Sequence, residues 1–292
     1  MLLRPVQDTE EDADVVRQLA ENSFNDLHTA AGDPPAVPDP VQPARSRERI
    51  RHLVRTDPAG SWLAADAAGR PVGAAQSFVR EGTWGLALLV VLAEAQGKGV
   101  GKALLERSLE HGRSCLRGMI CCSRHPMAAR AYRKAGFELH PTMRLHGAVD
   151  PSRLARPDGP VVVGSPSHRD LMDSVDRRLR GGAHGVDHEY LMRHCRLFAA
   201  DDLAGSGYCY LRAQGRVELL AATSRRLATR LLTTALLSLP ESAQATVAYL
   251  TAEQQWAVDV GLAAGLELGT VGYVCLRGMR PPTPYIPSGG FL

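Results

Sequence analysis

The chain has 292 residues, of which 45% are hydrophobic and 22% charged. This length predicts two domains, since ~150 residues per domain is usual, and the apolar content suffices for full-sized cores. A formal net charge of +3 with interleaved signs argues against nucleic acid as a partner. No apolar run reaches membrane-spanning length, and the acidic segment 8–12 is wrong for a signal peptide. Six cysteines without zinc-site spacing favour a reduced, cytoplasmic protein with no metal.

Strands and helices alternate along the first half of the sequence. Residues 2–5 are predicted as a strand, 12–25 as an amphipathic helix and the proline-rich residues 31–44 as a loop. A hairpin around Gly69 follows, built from residues 61–65 and 71–80. The aliphatic run 86–92 is then predicted as a buried strand.

Three alternating glycines follow that strand directly, in the sequence Gln96-Gly97-Lys98-Gly99-Val100-Gly101-Lys102. Leucines at near-helical spacing come next, so these residues, the glycine turn, join a strand to a helix N-terminus. The first amides of a helix lack partners and lie at the positive end of its dipole, where an anion such as phosphate binds. Glycine allows positive φ and close approach of the backbone, and the two lysines add positive charge.

Two common phosphate-binding motifs do not fit the glycine turn. A P-loop requires glycine five residues before Gly101, where Gln96 stands, and Ser or Thr after Lys102, where Ala103 stands. A dinucleotide fingerprint requires its third glycine at Lys102. The pattern Gln96-x-x-Gly99-x-Gly101 instead matches the pyrophosphate-binding signature Q/R-x-x-G-x-G/A.

A second pattern lies about thirty residues further on. Residues 118–123 are predicted as a strand, followed by a short helix from Pro126 that contains Tyr132 and ends at Gly136-Phe137. This segment is similar to N-x-x-A-x-x-x-Y-x-x-x-G-F, with His125 where asparagine is usual. With the first signature in this order and spacing, the chain resembles the GNAT acetyltransferase superfamily.

The resemblance implies an α/β fold with mixed, twisted sheets flanked by helices, and acetyl-CoA as co-substrate. Backbone groups near Leu89, Val90 and Val91 would hold pantetheine and the thioester, and residues 96–102 the pyrophosphate. His125 and Tyr132 would also contact the cofactor. An acceptor amine would attack the thioester directly, and Tyr132, matching the usual general acid, would protonate the departing thiolate.

The resemblance leaves the general base and the acceptor open. Many relatives use a glutamate on the fourth strand, but residues 86–92 contain no acidic side chain. Glu81, before that strand, and His125 are candidates, as is the carboxylate of the tail 281–292. The loop of about residues 26–46 would line the acceptor site, and its Asp26, Asp33 and Asp39 are interpreted as solubilising charges.

The second half repeats the element order of the first after a proline-rich stretch. Superposing Leu231-Leu232 on Leu104-Leu105 places Thr223, Arg226 and Ala228 where Gln96, Gly99 and Gly101 stand, and Gly261 where Tyr132 stands. This predicts a catalytic domain at 1–149, a linker at 150–159, a degenerate GNAT-like domain at 160–280 and a tail at 281–292, in a tandem layout. The histidines His184, His188 and His194 are interpreted as part of a loop and a solvated helix.

Two functions are compatible with these features. The first is an acetyl-CoA-dependent N-acetyltransferase acting on a small molecule or peptide, without metal, nucleic acid or membrane and with homodimer formation open. The alternative is a catalytically weak protein that binds acyl-CoA as a sensor or regulator.

Overall fold

The computed structural model describes residues 1–31, 39–203 and 205–292, and divides into two compact units. The first unit comprises Met1–Val79 and Trp84–Cys115, and the second comprises Arg80–Thr83 and Leu116–Leu292. Contacts therefore divide the chain near residue 115, whereas the proline-rich linker separates the two sequence repeats. Among the described residues, no helix combines the length and apolarity needed to cross a bilayer.

The first unit carries helices against a sheet whose strand order is β1-β2-β3-β4. Strand β1 pairs antiparallel with β2, and β2 antiparallel with β3. Apolar residues cover both sheet faces: Leu88 and Val90 belong to one core, and Leu89 and Val91 pack against the other. The elements are β1 (Leu2–Pro5), α1 (Glu10–Ala31), α2 (Gln42–Thr56), β2 (Ser61–Ala65), β3 (Pro71–Arg80), β4 (Thr83–Val91) and α3 (Val100–His111).

The second unit contains four strands in the order β5-β12-β6-β11, with antiparallel pairing at each junction. The first repeat provides β5 (Arg117–Ser123) and β6 (Glu138–Ala148), and the second provides β11 (Gln244–Leu250) and β12 (Glu267–Arg277). Strand β12, late in the chain, thus lies between two consecutive strands of the first repeat. Because the repeats share this sheet, the unit boundary does not follow the repeat boundary.

The second unit also holds a sheet with the order β13-β10-β9-β8-β7. All six residues of β10 are buried, as expected for a strand covered on both faces. The main core of this unit joins α7 and α8 to both sheets. The remaining elements are α4 (Pro126–Lys134), β7 (Val162–Val163), α5 (Arg169–Arg180), α6 (Asp187–His194), β8 (Arg196–Asp202), β9 (Gly205–Leu211), β10 (Val217–Ala222), α7 (Arg225–Leu237), α8 (Gln255–Ala263) and β13 (Tyr285–Ile286).

The sequence predicts the mixed α/β class, which the structure confirms, but misplaces some elements. Helix α1 continues to Ala31 and α2 begins at Gln42, so part of the predicted 31–44 loop is helical. Strand β8 was not predicted. Asp33 lies outside the described residues, while Asp26 lies in α1 and Asp39 forms an ion pair of 2.8 Å with Arg45.

Candidate active site

The glycine turn leaves β4 and enters α3 as the sequence predicts. A single turn of 3-10 helix at Ala93–Ala95 lies between β4 and Gln96. The Gln96 side-chain amide donates a hydrogen bond of 3.0 Å to the carbonyl of Val91. The first signature residue therefore ties the end of β4 to the start of the turn.

Two glycines in this turn adopt conformations that other residues rarely use. Gly97 has φ +74° and Gly99 φ +85°, and a Cβ at either position would meet no heavy atom within 4 Å. Glycine is therefore favoured at these two positions by the backbone conformation, and not because a side chain would clash with a neighbour. Open space in front of the backbone is what a bound pyrophosphate needs.

The N-terminus of α3 is free to receive an anion. Gly99 is its N-cap and no side chain caps it, and the amide of Ala103 donates to the Gly99 carbonyl at 3.1 Å. The amides of Val100, Gly101 and Lys102 precede that bond, where helical amides lack intrahelical acceptors. Lys98 and Lys102 are exposed, and Lys102 lies 3.7 Å from Glu106.

The corresponding helix of the second repeat is closed to an anion. The Ser224 hydroxyl accepts a hydrogen bond of 3.4 Å from the Leu227 amide and so caps α7. Arg226, at the position of Gly99, forms an ion pair with Asp158. At the position of Tyr132, Gly261 lies against the Leu145 side chain. These contacts support the prediction that the second repeat is degenerate.

Tyr132 is buried in α4, which starts at Pro126 and ends before Gly136 at φ +87°. Burial raises the pKa of Tyr132 far above its usual value, and the nearby thiols of Cys122 and Cys275 add to the effect. Among the described residues, no group hydrogen-bonds its hydroxyl. A phenol in this state stays protonated across the physiological range and can donate to an anion that reaches it.

His125 is the N-cap residue of the same helix. Its backbone amide donates to the Ser123 hydroxyl at 3.3 Å, while its half-buried side chain makes no cap hydrogen bond. The imidazole is therefore not needed to hold α4 in place. It is positioned by the helix that carries Tyr132.

Glu81 has protein partners instead of an open carboxylate. It accepts hydrogen bonds from the Arg177 guanidinium, the shortest 2.6 Å, and from the Ala183 amide at 3.0 Å. Arg177 first, then Ala183, hold the pKa of Glu81 below its usual value. A carboxylate stabilised in its charged form is a weak base, so these contacts favour an anchoring role.

The histidine segment is buried, which corrects the interpretation of a solvated helix. Asp176, His184 and His188 offer ligand atoms within 4.8 Å of one another. The Asp176 carboxylate contacts His184 Nδ1 at 2.7 Å, His188 Nε2 at 3.2 Å and the Tyr208 hydroxyl at 2.5 Å. We call these four residues the Asp176 cluster. Since protein groups already occupy these atoms, a metal would have to displace hydrogen bonds.

The end of the tail is also part of this region. The main-chain oxygen of Leu292 lies 2.7 Å from His184 Nε2 and accepts a hydrogen bond of 2.7 Å from the Tyr285 hydroxyl. Leu292 itself is fully buried. This oxygen is therefore engaged with the Asp176 cluster, which argues against the tail as a source of the general base.

The first repeat thus combines a strand, a glycine turn, an uncapped helix and a buried tyrosine on the second motif, which are the features expected from the sequence resemblance. Residues 36–145 match the family described as acetyltransferase (GNAT) domain. No curated protein sequence matches the chain significantly. Residues 36–145 are therefore a GNAT acetyltransferase domain, which assigns this part of the chain to the N-acetyltransferases.

Solved structures agree on the fold. A putative acetyltransferase from Pyrococcus horikoshii superposes with a TM-score of 0.76 at 18% identity, covering 99% of this chain and 95% of that one. A GCN5-related N-acetyltransferase from Sphaerobacter thermophilus gives 0.59 at 14% identity, with 99% and 98% coverage. A tandem GNAT protein from the clavulanic acid biosynthesis pathway gives 0.59 at 16% identity, with 96% and 99% coverage. The whole chain thus has a tandem GNAT fold.

Proposed function

We propose that this protein transfers an acetyl group from acetyl-CoA to an amine of a small molecule or peptide, by direct attack on the thioester. The observation that carries the proposal is the glycine turn, in which Gly97 and Gly99 have positive φ and α3 begins without a cap. This arrangement suits a diphosphate, which is the charged part of coenzyme A.

The proposed cofactor grip is mostly main chain. Amides of residues 96–102 would hold the pyrophosphate, and backbone groups of Leu89, Val90 and Val91 would hold the pantetheine arm and the thioester. His125 and Tyr132 would contact the thioester end. Because main-chain groups would make these contacts, binding of the cofactor would depend on the glycine pattern more than on the side chains around it.

In the proposed reaction, the amine nitrogen bonds to the thioester carbon and the carbon–sulfur bond breaks. The electron pair leaves with sulfur, and the Tyr132 hydroxyl gives its proton to the thiolate. Burial keeps the phenol protonated before the step, so a proton is available to give. Solvent then restores the proton.

The incoming ammonium must lose a proton before it can attack. Strand β4 has the sequence TWGLALLVV and offers no carboxylate. Glu81 is bound by Arg177 and Ala183, so we propose His125 ahead of Glu81 as the group that accepts this proton, directly or through water. A neutral imidazole has one ring nitrogen with a free lone pair, which can accept this proton.

The test is release of free coenzyme A thiol from acetyl-CoA with a panel of polyamines, aminoglycosides, amino acids, arylamines and peptides. Tyr132→Phe is expected to lower kcat ~10²-fold or more. Tyr249→Phe is the control, because Tyr249 is a half-buried tyrosine that belongs to the second repeat. His125→Gln is expected to lower kcat/KM at neutral pH ~10²-fold, whereas Glu81→Gln should have a much smaller effect.

Each outcome decides between the two functions. Turnover that depends on Tyr132 establishes the transferase and identifies the acceptor class. Tight acetyl-CoA binding without turnover across the panel favours the sensor, and absence of binding contradicts both.

We also propose that the protein acts in the cytoplasm, which its six free cysteines support.

A further inference from the structure

A cavity of about 350 Å³ lies within the second unit, away from the glycine turn in sequence. Its walls come from the start of β5, the C-terminal end of α5 and the segment that follows β12. Four arginines line it: Arg117, Arg178, Arg180 and Arg280. A cavity of this volume accommodates a small organic molecule.

Arg180 is the buried member of this group, with a relative exposure of 1%. Its Nε and both terminal guanidinium nitrogens are buried and have no hydrogen-bond partner within the described part of the chain. A buried charge without a partner is strongly unfavourable, and native proteins rarely leave one uncompensated. The buried carboxylate of Asp176, one turn earlier on α5, is engaged by His184, His188 and Tyr208. An anion in the cavity would give Arg180 a partner of its own.

The other three arginines surround the same space without carboxylates. Arg117 is half-buried, and Arg178 and Arg280 are exposed. No ion pair joins any of the four to an acidic side chain of residues 1–31, 39–203 or 205–292, and the cavity lining contains no aspartate or glutamate among those residues. The buried Arg230, by contrast, is paired with Asp158 and Asp202.

A glycine holds one guanidinium at the cavity wall. Gly181 ends α5 at φ +79°, and a Cβ there would lie 2.3 Å from Arg117 Nε and 2.6 Å from its Cζ. The Arg117 guanidinium thus occupies the space that a side chain at position 181 would need. Gly181 and Arg117 both line the cavity, so this contact fixes a donor group at the place where a ligand would bind.

The end of α5 does not neutralise these charges. A helix C-terminus carries about half an elementary negative charge, against four guanidinium groups at the cavity. The net field favours a ligand with more than one negative charge. A guanidinium group binds two oxygens of a phosphate or a carboxylate in bidentate geometry.

We propose that this cavity is a binding site for a small multivalent anion, an organic phosphate or a polycarboxylate, with Arg180 as its buried counter-charge. Arg117, fixed against Gly181, supplies a second donor group, and Arg178 and Arg280 attract the ligand from the rim. The site is independent of the proposed acetyl transfer. It requires neither the glycine turn nor Tyr132.

The test is isothermal titration calorimetry of the full chain with inorganic pyrophosphate and with citrate, at constant ionic strength. Saturable binding is expected, and Arg180→Met and Arg117→Met should each weaken it by roughly 10- to 100-fold, the effect of losing hydrogen bonds to a charged group. Arg156→Met, which removes an exposed arginine of the linker, should leave it unchanged. The tighter of the two probes tells phosphate from carboxylate chemistry.

A Gly99→Asp background separates this site from the glycine turn, because a carboxylate in the turn repels a diphosphate. Binding that persists in Gly99→Asp and is lost in Arg180→Met supports the proposal. Binding lost in Gly99→Asp, unaffected by Arg180→Met, or absent altogether overturns it, and none of these results bears on acetyl transfer.

Thermal melting without anion provides a second measurement. Arg180→Met should melt no lower than the wild type, because methionine removes an uncompensated buried charge. Added pyrophosphate or citrate should raise the Tm of the wild type alone. A much lower Tm for Arg180→Met without anion would mean that protein groups already balance the charge, and would overturn the proposal.

Discussion

The Asp176 cluster should be a major source of stability for the second unit, and Asp176→Ala tests this. The carboxylate is fully buried and accepts hydrogen bonds from His184, from Tyr208 and from the His184 backbone amide at 3.0 Å. Removing it leaves these donors buried without an acceptor. Breaking a buried charged pair in this way costs about 3–5 kcal/mol, which lowers Tm by roughly 6–20 °C for a unit of this size.

The measurement is urea unfolding followed by far-UV circular dichroism, with hydrogen exchange of peptides from α5 and β9 to locate the change. Asp170→Ala is the control, because Asp170 lies exposed in the first turn of α5 and should change the free energy of unfolding by about 1 kcal/mol or less. An Asp176→Ala midpoint equal to that of Asp170→Ala would refute the reasoning. It would show that the histidines and tyrosine find other partners.

The structure makes two further predictions. The free energy of unfolding should fall on acidification. Burial and then Arg180 lower the pKa of His184 from its ordinary 6.5. Burial alone would raise the pKa of Asp176, but His184 and His188 hold it well below its ordinary value. A group with a lowered folded-state pKa contributes stability above its unfolded pKa and loses it as pH falls, so urea midpoints should decline below about pH 6.5. The decline near that pH should be steeper in Asp176→Ala, because Asp176 partly offsets the lowering of the His184 pKa. Gly99→Ala should raise KM for acetyl-CoA by roughly 10-fold, the effect of about 1–2 kcal/mol of left-handed strain, in a steady-state assay. Gly69→Ala is the control, because Gly69 has φ +81° and equally open surroundings and so carries the same strain outside the glycine turn. An equal change in KM for Gly69→Ala would contradict the role of Gly99.

The features that the sequence predicts are those encoded locally. Apolar runs, glycine spacing and the proline before Tyr132 specify the strand, the turn and both helices of the cofactor motifs within short windows. These patterns depend on residues close together in the sequence, so they can be recognised without knowledge of tertiary contacts.

The features that the sequence does not predict depend on residues far apart. The insertion of β12 between β5 and β6 joins segments from opposite ends of the second unit, and alternation of apolar residues cannot specify that pairing. Glu81 is an attractive base until Arg177 is found beside it. Arg117, Arg180 and Arg280 share a cavity although no spacing relates them, and charge counts treat them as ordinary surface arginines.

The position of β12 has a consequence for how the protein is made. Strands β5 and β6 leave the ribosome about 120 residues before the strand that separates them, which at 5–20 residues per second is a delay on the order of 10 s. During that interval their facing edges are exposed to wrong pairing with each other or with other chains. Nascent-chain folding should therefore be slow to produce an acetyltransferase, and chaperones that shield strand edges should increase the yield of active enzyme.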